Sequence, residues 1–289
     1  MGTAYACATA AAVLWGTSFL LTRVTMTQMG PLAVAALRWW ITSVVLMVIV
    51  STSRGTRCSF GEAWREWPLL LALGVIGEGV AYVFQNLALM YTTTVDVGLI
   101  MNAYPILSAV LGVWVLKERM SLRATSGLMM GLLGVTFITL GGVWVNEVEI
   151  YARILGNGLA LLATLAGAFY IVAGKRLVLV YGPLPVTALA GLIGALAMTP
   201  LAVAEGITLH WSAEVWGALL GLAIGCGAAA YLLWWYAARQ LPISQAGVFL
   251  YLTPVVSTLL GILVLGEPLT IATAAGAGLV LGGMTLAQV

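Results

Sequence analysis

PILSAVLGVWVLKE at 105–118 and PVVSTLLGILVLGE at 254–267 share one order of residues: Pro-x-x-Ser-x-x-Leu-Gly-x-x-Val-Leu-x-Glu. They lie 149 residues apart, and at that offset the identities continue outward without a gap. Ala88 falls on Ala237, Gly98 on Gly247, Gly127 on Gly276, Leu132 on Leu281, Gly134 on Gly283 and Thr136 on Thr285. Stray Gly and Leu matches are common in an apolar chain, but an ordered run of this kind reads as a duplication.

What is duplicated follows from composition. Of 289 residues 62% are hydrophobic and only 8% are charged, with 12 Lys+Arg against 10 Asp+Glu; mean hydropathy is +1.07. A soluble chain carries roughly 25% charged residues, so these side chains cannot make a water-exposed surface. The chain belongs in a bilayer, which excludes a cytosolic enzyme, a disulfide scaffold and a disordered hub. The net charge of +2 leaves no basic stripe for nucleic acid. Cys7, Cys58 and Cys226 have neither paired nor metal-like spacing and read as small apolar packers, so no cofactor or metal is expected.

A membrane helix needs about 20 mostly apolar residues. Turn and charge signals divide the chain into ten such stretches, near 5–23, 31–50, 68–90, 95–116, 123–144, 154–174, 184–204, 214–238, 244–265 and 269–287. Arg38 and Glu78 are the charges inside them. With the N-terminus inside, the even-numbered loops carry Arg54, Arg57, Arg65, Lys117, Arg119, Arg123, Lys175, Arg176 and Arg239, nine of the twelve basic residues. The positive-inside rule therefore puts both termini in the cytoplasm of a multi-pass plasma (inner) membrane protein. The Ala-rich first stretch lacks the basic start of a signal peptide, and removing it would reverse every loop, so it reads as retained.

Each copy holds five spans, an odd number, so the second copy sits upside down relative to the first. The expected fold is all-α, ten transmembrane helices in two inverted five-helix repeats, 1–145 and 146–289. Inverted pairs recur in secondary transporters, where one pattern builds two half-gates around a site near the midplane.

The two five-helix halves, the Trp15-Gly16-Thr17-Ser18-Phe19 stretch, Leu37-Arg38-Trp39 and the paired 105–118 and 254–267 segments resemble the drug/metabolite transporter superfamily. The similarity is strongest to its EamA-type exporters, which include YddG-like amino-acid exporters. The resemblance covers essentially the whole chain. It implies a cavity lined mainly by spans 1, 3, 4, 6, 8 and 9, with spans 5 and 10 set apart, often as the contact of a homodimer.

Buried polar groups cost free energy unless paired, so those inside spans are the candidates for function. Glu78, Tyr82 and Gln85 share one helical face of span 3, and their repeat mates are Gly227, Tyr231 and Trp234, with Trp235 beside them. Span 4 presents Gly98, Asn102 and Pro105; span 9 answers with Gly247, Tyr251 and Pro254. The expected substrate-binding set is Trp15, Glu78, Tyr82, Gln85, Asn102, Tyr170, Tyr231, Trp234 and Tyr251. Divergence concentrates here, Glu78 facing a glycine, Gln85 a tryptophan and Asn102 a tyrosine, so a polar wall meets an aromatic one and suits an amphipathic solute. The competing reading for Tyr231, Trp234, Trp235 and Tyr236 is an interfacial belt, a poor role for the mid-span Trp15, whose lining role the resemblance favours; for Tyr170 and its repeat mate Phe19, simple packing.

An ionised carboxylate at the bilayer centre costs about 2.5–3.5 kcal/mol, so Glu78 must be protonated, paired with Arg38 or wetted. Its functional reading is contact with a substrate ammonium or carriage of a coupling proton; its structural reading is an ion pair or a hydrogen-bonded acid. Arg38 lies about seven residues, roughly 10 Å, from the outer end of its span, within snorkelling reach. Pro105 and Pro254 are expected to kink their spans, with Gly98 and Gly247 allowing close approach, as gate hinges. Glu118 and Glu267 are expected to serve the starts of spans 5 and 10 beside Ser121 and Thr270.

The favoured function is secondary-active export of small amphipathic metabolites, amino acids first, by alternating access. A carrier of quaternary ammonium compounds or cationic drugs is the alternative, since aromatic faces and one carboxylate suit cation–π binding. A non-transporting sensor or a lipid-flipping protein is the third reading. An intramembrane enzyme is disfavoured: the one histidine, His210, falls in a loop, the one aspartate, Asp96, at a span edge, and no nucleotide-binding loop occurs.

Overall fold

The computed structural model describes residues 2–52, 60–92, 97, 100–141, 150–206, 210–265 and 271–288. Within lipid every backbone polar group must be satisfied inside the chain, and this one does so with helices. They are α1 (Gly2–Thr25), α2 (Pro31–Thr52), α3 (Trp67–Ala72, Leu73–Val80 and Ala81–Tyr91 in succession), α4 (Tyr104–Val115) and α5 (Leu122–Gly141). The second half repeats them as α6 (Ile150–Tyr181), α7 (Pro183–Glu205), α8 (Ala213–Leu220, Gly221–Ala229 and Ala230–Ala238), α9 (Ile243–Leu250 and Leu252–Leu265) and α10 (Ile271–Gln288). Seven helices are long and apolar enough to cross a membrane, and three shorter apolar ones, in α4, α5 and α10, lie among them. Their outer faces carry exposed Val44, Val48, Leu133, Leu161, Leu196 and Leu281, as lipid-facing surfaces do.

The packing carries the inverted symmetry. Helices α2 and α7, α4 and α9, and α5 and α10 pair with their own repeat mates. The contacts of α3 with α6 and α7 are matched by those of α8 with α1 and α2, and α4 on α6 by α9 on α1. Repeat mates touch directly: the Tyr82 and Tyr231 hydroxyls lie 3.3 Å apart. Between α5 and α10, Gly127 abuts the carbonyl of Gly283 and Gly134 that of Gly276, the same approach repeated. A side chain at either would strike backbone, so glycine is what lets these helices meet.

Two features break the helices in both copies. Leu73–Val80 and Gly221–Ala229 are π-helical, in matching register, so each span has one widened turn at its centre. The fourth span of each half is interrupted: Asn102 and Ala103 form a turn before α4, and its repeat mate Tyr251 forms one inside α9. The expectation of kinks at Pro105 and Pro254 needs correcting here. Pro105 is the second residue of the helix after the break and Pro254 the third residue of Leu252–Leu265, the first-turn positions where a missing N–H costs nothing. Gly98, the hinge partner of Gly247, lies outside the described residues, as do Glu267 and Thr270.

Candidate functional site

The site is built on the widened turn of α3. Glu78 sits in it with no exposed surface. A glycine of α7, Gly194, lets it in, since a Cβ there would lie 2.8 Å from the Glu78 Cβ. From α8 the Tyr231 hydroxyl donates to Oε2 of Glu78 at 3.3 Å and lies equally near Tyr82. The other carboxylate oxygen, Oε1, has no partner among the described residues. The carboxyl is therefore half-satisfied, in the middle of the molecule, against the opposite repeat.

Aromatic rings from both halves close around it. Tyr231 meets Trp15 of α1 at 5.3 Å, Trp39 of α2 at 5.1 Å and Tyr170 of α6 at 5.8 Å, all near-perpendicular. Trp15 also meets Trp234 at 5.8 Å, and Tyr170 meets Trp235 at 5.7 Å. Such edge-to-face packing is favourable beyond area burial. The matching turn of α8 is served by the other half: Trp15 donates to the Cys226 carbonyl at 3.0 Å, and Thr42 to that of Ala223 at 2.8 Å. Widened turns free carbonyls, and here two side chains from the N-terminal repeat take them up.

Of the residues expected at the site, Trp15, Glu78, Tyr82, Tyr170, Tyr231 and Trp234 come together. In the α8 aromatic cluster Tyr231, Trp234 and Trp235 are buried in the bundle, and only Tyr236 faces outward, 43% exposed. Gln85 and Asn102 are half-buried and make no side-chain hydrogen bond among the described residues. Tyr251 is placed elsewhere: its ring lies against Gly131 of α5 and its hydroxyl has no partner among the described residues, because the break in α9 turns it toward the α5–α10 pair. The structure instead seats the Tyr104 ring, from the first turn of α4, against Gly167 of α6, and Trp39 onto Tyr82 and Tyr231. Neither carried a sequence signal beyond being aromatic and apolar-flanked.

Arg38 also departs from expectation. It does not snorkel: 6% exposed, it stacks its guanidinium over Tyr82 at 5.2 Å from the ring centroid. Nor does it pair with Glu78, no carboxylate lying within 4.0 Å of it among the described residues. The α2 helix is packed by α7 and α8, and Arg38 keeps only 6% of its surface exposed.

On the face that holds the chain's start, Glu118 was expected to serve α5. Ser121 does cap α5, accepting from Ala124 N–H at 3.1 Å. Glu118 instead crosses to the second repeat, accepting from Ile243 N–H at the start of α9 and from Lys175 of α6, each at 2.6 Å. Lys175 also donates to the Leu241 carbonyl at 2.7 Å. Further along α9, Phe249 stacks on Tyr5 of α1 at 5.6 Å. These contacts join the two halves across this face.

Comparison with known proteins agrees with this architecture. A model of the EamA-like transporter family matches twice, over residues 2–140 and 154–288. An uncharacterized transporter of Archaeoglobus fulgidus is 32% identical over 270 residues, 93% of each chain. The uncharacterized transporter YyaM of Bacillus subtilis is 25% identical over 279 residues, 96% of this chain and 90% of that one. A solved crystal structure superposes with a TM-score of 0.81 at 23% identity, over 99% of this chain and 96% of the other, a likeness of fold. With two copies of the family's repeat spanning nearly its full length, the chain belongs to the EamA-like transporter family.

Proposed function

We propose that this transporter is a secondary-active carrier exporting small amphipathic metabolites, amino acids foremost, across the plasma membrane from a cytoplasm that holds both its termini. The observation that carries this reading is the Glu78 carboxyl: wholly buried between the repeats, held by Tyr231 through one oxygen and without a hydrogen-bond partner at the other among the described residues. A group of this kind inside a membrane marks a substrate or proton path by default. The surrounding aromatic faces suit an apolar body, and the breaks at Asn102 and Tyr251 supply the discontinuous helices about which one face can open while the other closes. Pro105, Pro254 and Gly247 are the hinge positions on this reading, and Glu78 carries the coupling proton or meets a substrate amine. The copies pair as homodimers through the α5–α10 side. No catalytic step is assigned to the chain.

Uptake of labelled amino acids into proteoliposomes tests it. Saturable flux that is lost in Glu78→Gln, with the variant still folded, is the expected result; absence of saturable flux across a broad amino-acid panel would remove the reading. The second reading, a carrier of quaternary ammonium compounds, draws on the same rings and carboxylate. Competition by choline against competition by leucine or tryptophan separates the two.

A further inference from the structure

Among the described residues, two buried arrangements of opposite charge stand in contrast. Lys175 and Glu118 are brought to 2.6 Å, with side-chain exposures of 7% and 17%. This is what a structural ion pair looks like when packing is free to make one. Arg38 and Glu78 are at least as buried, in adjoining spans, and are not joined. Between them stands a tyrosine pair: Arg38 over the Tyr82 ring, Tyr82 beside Tyr231, Tyr231 on Glu78.

Each charged group is incomplete. Arg38 Nε has no acceptor and Glu78 Oε1 no donor among the described residues. Guanidinium and indole N–H groups only donate, and Trp39 and Trp234, packed on Tyr231 and Trp15, have buried indole nitrogens with no acceptor either. Buried polar groups are normally paired, and these donors outnumber the acceptors that the Tyr170 and Ser43 hydroxyls, unpartnered among the described residues, add, so a group that brings further acceptors suits them. A carboxylate brings two oxygens and about four lone-pair sites, and matches the guanidinium fork. A quaternary ammonium brings none.

We propose that Arg38 and Glu78 are the two poles of one substrate site, Arg38 receiving an anionic group and Glu78 a cationic one, so that the substrates are zwitterions of the amino-acid kind and simple cations are rejected. The assignment rests on the carrier reading above and sharpens it. Trp15 and Tyr231 flank the apolar body between the poles.

The test changes the ligand before it changes the protein. Full-length carrier in lipid nanodiscs is titrated with leucine, leucinamide, N-acetyl-leucine and choline, binding being read from the melting midpoint or from displacement of labelled leucine. Wild type is expected to bind leucine at least about tenfold more tightly than the amide, which lacks the carboxylate, or the N-acetyl compound, which lacks the ammonium. Arg38→Gln should erase the preference for acid over amide and leave that for free over acetylated amine; Glu78→Gln should do the reverse. Arg38→Lys keeps the charge and should keep part of the preference, a check that the glutamine variant fails through the pole and not through folding. Equal binding of leucine and leucinamide by the unaltered protein overturns the assignment, as does an undiminished acid preference in Arg38→Gln. Saturable binding and flux of choline with none of leucine removes the two poles while leaving a carrier; no binding and no flux of any of the four removes both.

Discussion

At the scale of single residues, Glu78 takes its one hydrogen bond among the described residues from Tyr231, with the Tyr170 hydroxyl also close to it. Tyr231→Phe leaves its Oε2 without a hydrogen bond, and a buried acceptor stripped of its donor costs about 1–3 kcal/mol. Tyr82→Phe removes only the hydroxyl beyond it and should cost less, about 0.5–1.5 kcal/mol. Unfolding in mild detergent, followed for both variants, should rank them in that order; equal losses would mean that the Tyr82 hydroxyl supports the site as much as the Tyr231 bond to the carboxyl. Gly194 is a second test of how tightly the acid is seated. In Gly194→Ala the new methyl would meet the Glu78 Cβ at 2.8 Å and the Gly74 carbonyl at 2.9 Å, an overpacking that costs about 1–3 kcal/mol. A melting midpoint unchanged from wild type would show that α3 and α7 can separate without loss.

At the scale of elements, two carboxylates tie the repeats together at helix starts. Glu205, at the end of α7, accepts from the N–H groups of Leu32 at 3.2 Å and Ala33 at 2.8 Å in the first turn of α2. Glu118, beyond the end of α4, does the same for Ile243 of α9 and adds Lys175. Orphan N–H groups and the positive end of the helix dipole explain why acids stand there. Glu205→Ala should cost about 0.5–2 kcal/mol, the usual loss of a helix cap. Glu118→Ala should cost more, about 3–5 kcal/mol, because it strands a buried lysine. Adding Lys175→Met to Glu118→Ala should restore most of that difference; melting curves of the single and double variants in nanodiscs check it, and a double variant no more stable than Glu118→Ala contradicts the pairing. The direction in which Glu118 reaches was not readable from the chain. Its position just before Ser121 pointed to α5, while the partners that claim it are 57 and 125 residues away.

At the scale of the whole molecule, ten spans put the first and last residues on one side of the membrane. Protease-sensitive tags at the two ends should be cut together or protected together; cutting from opposite sides would undo the topology. The α5–α10 contact joins repeat mates through glycines that lie against backbone carbonyls. Replacing Gly134 by leucine, against the Gly276 carbonyl, should push these helices apart and lower the melting midpoint by several degrees, with little effect on ligand binding at Glu78.

Composition alone placed the chain in a bilayer, because lipid tolerates few charges and the surface must match its solvent. The repeat alone required inversion, because five crossings reverse direction. Glu78, Tyr82 and Tyr231 were legible for the same reason: a polar residue in an apolar span has to be accounted for. Which aromatic rings turn inward was not legible, since Trp39, Tyr104 and Tyr251 all look alike in a hydrophobic run, and only the helix breaks and the glycines opposite them decide which has room beside Glu78. Nor did the chain reveal that Arg38 is held away from both water and Glu78. Spacing along one helix says which face a side chain takes, but whether two charges on different helices meet depends on what the other eight place between them.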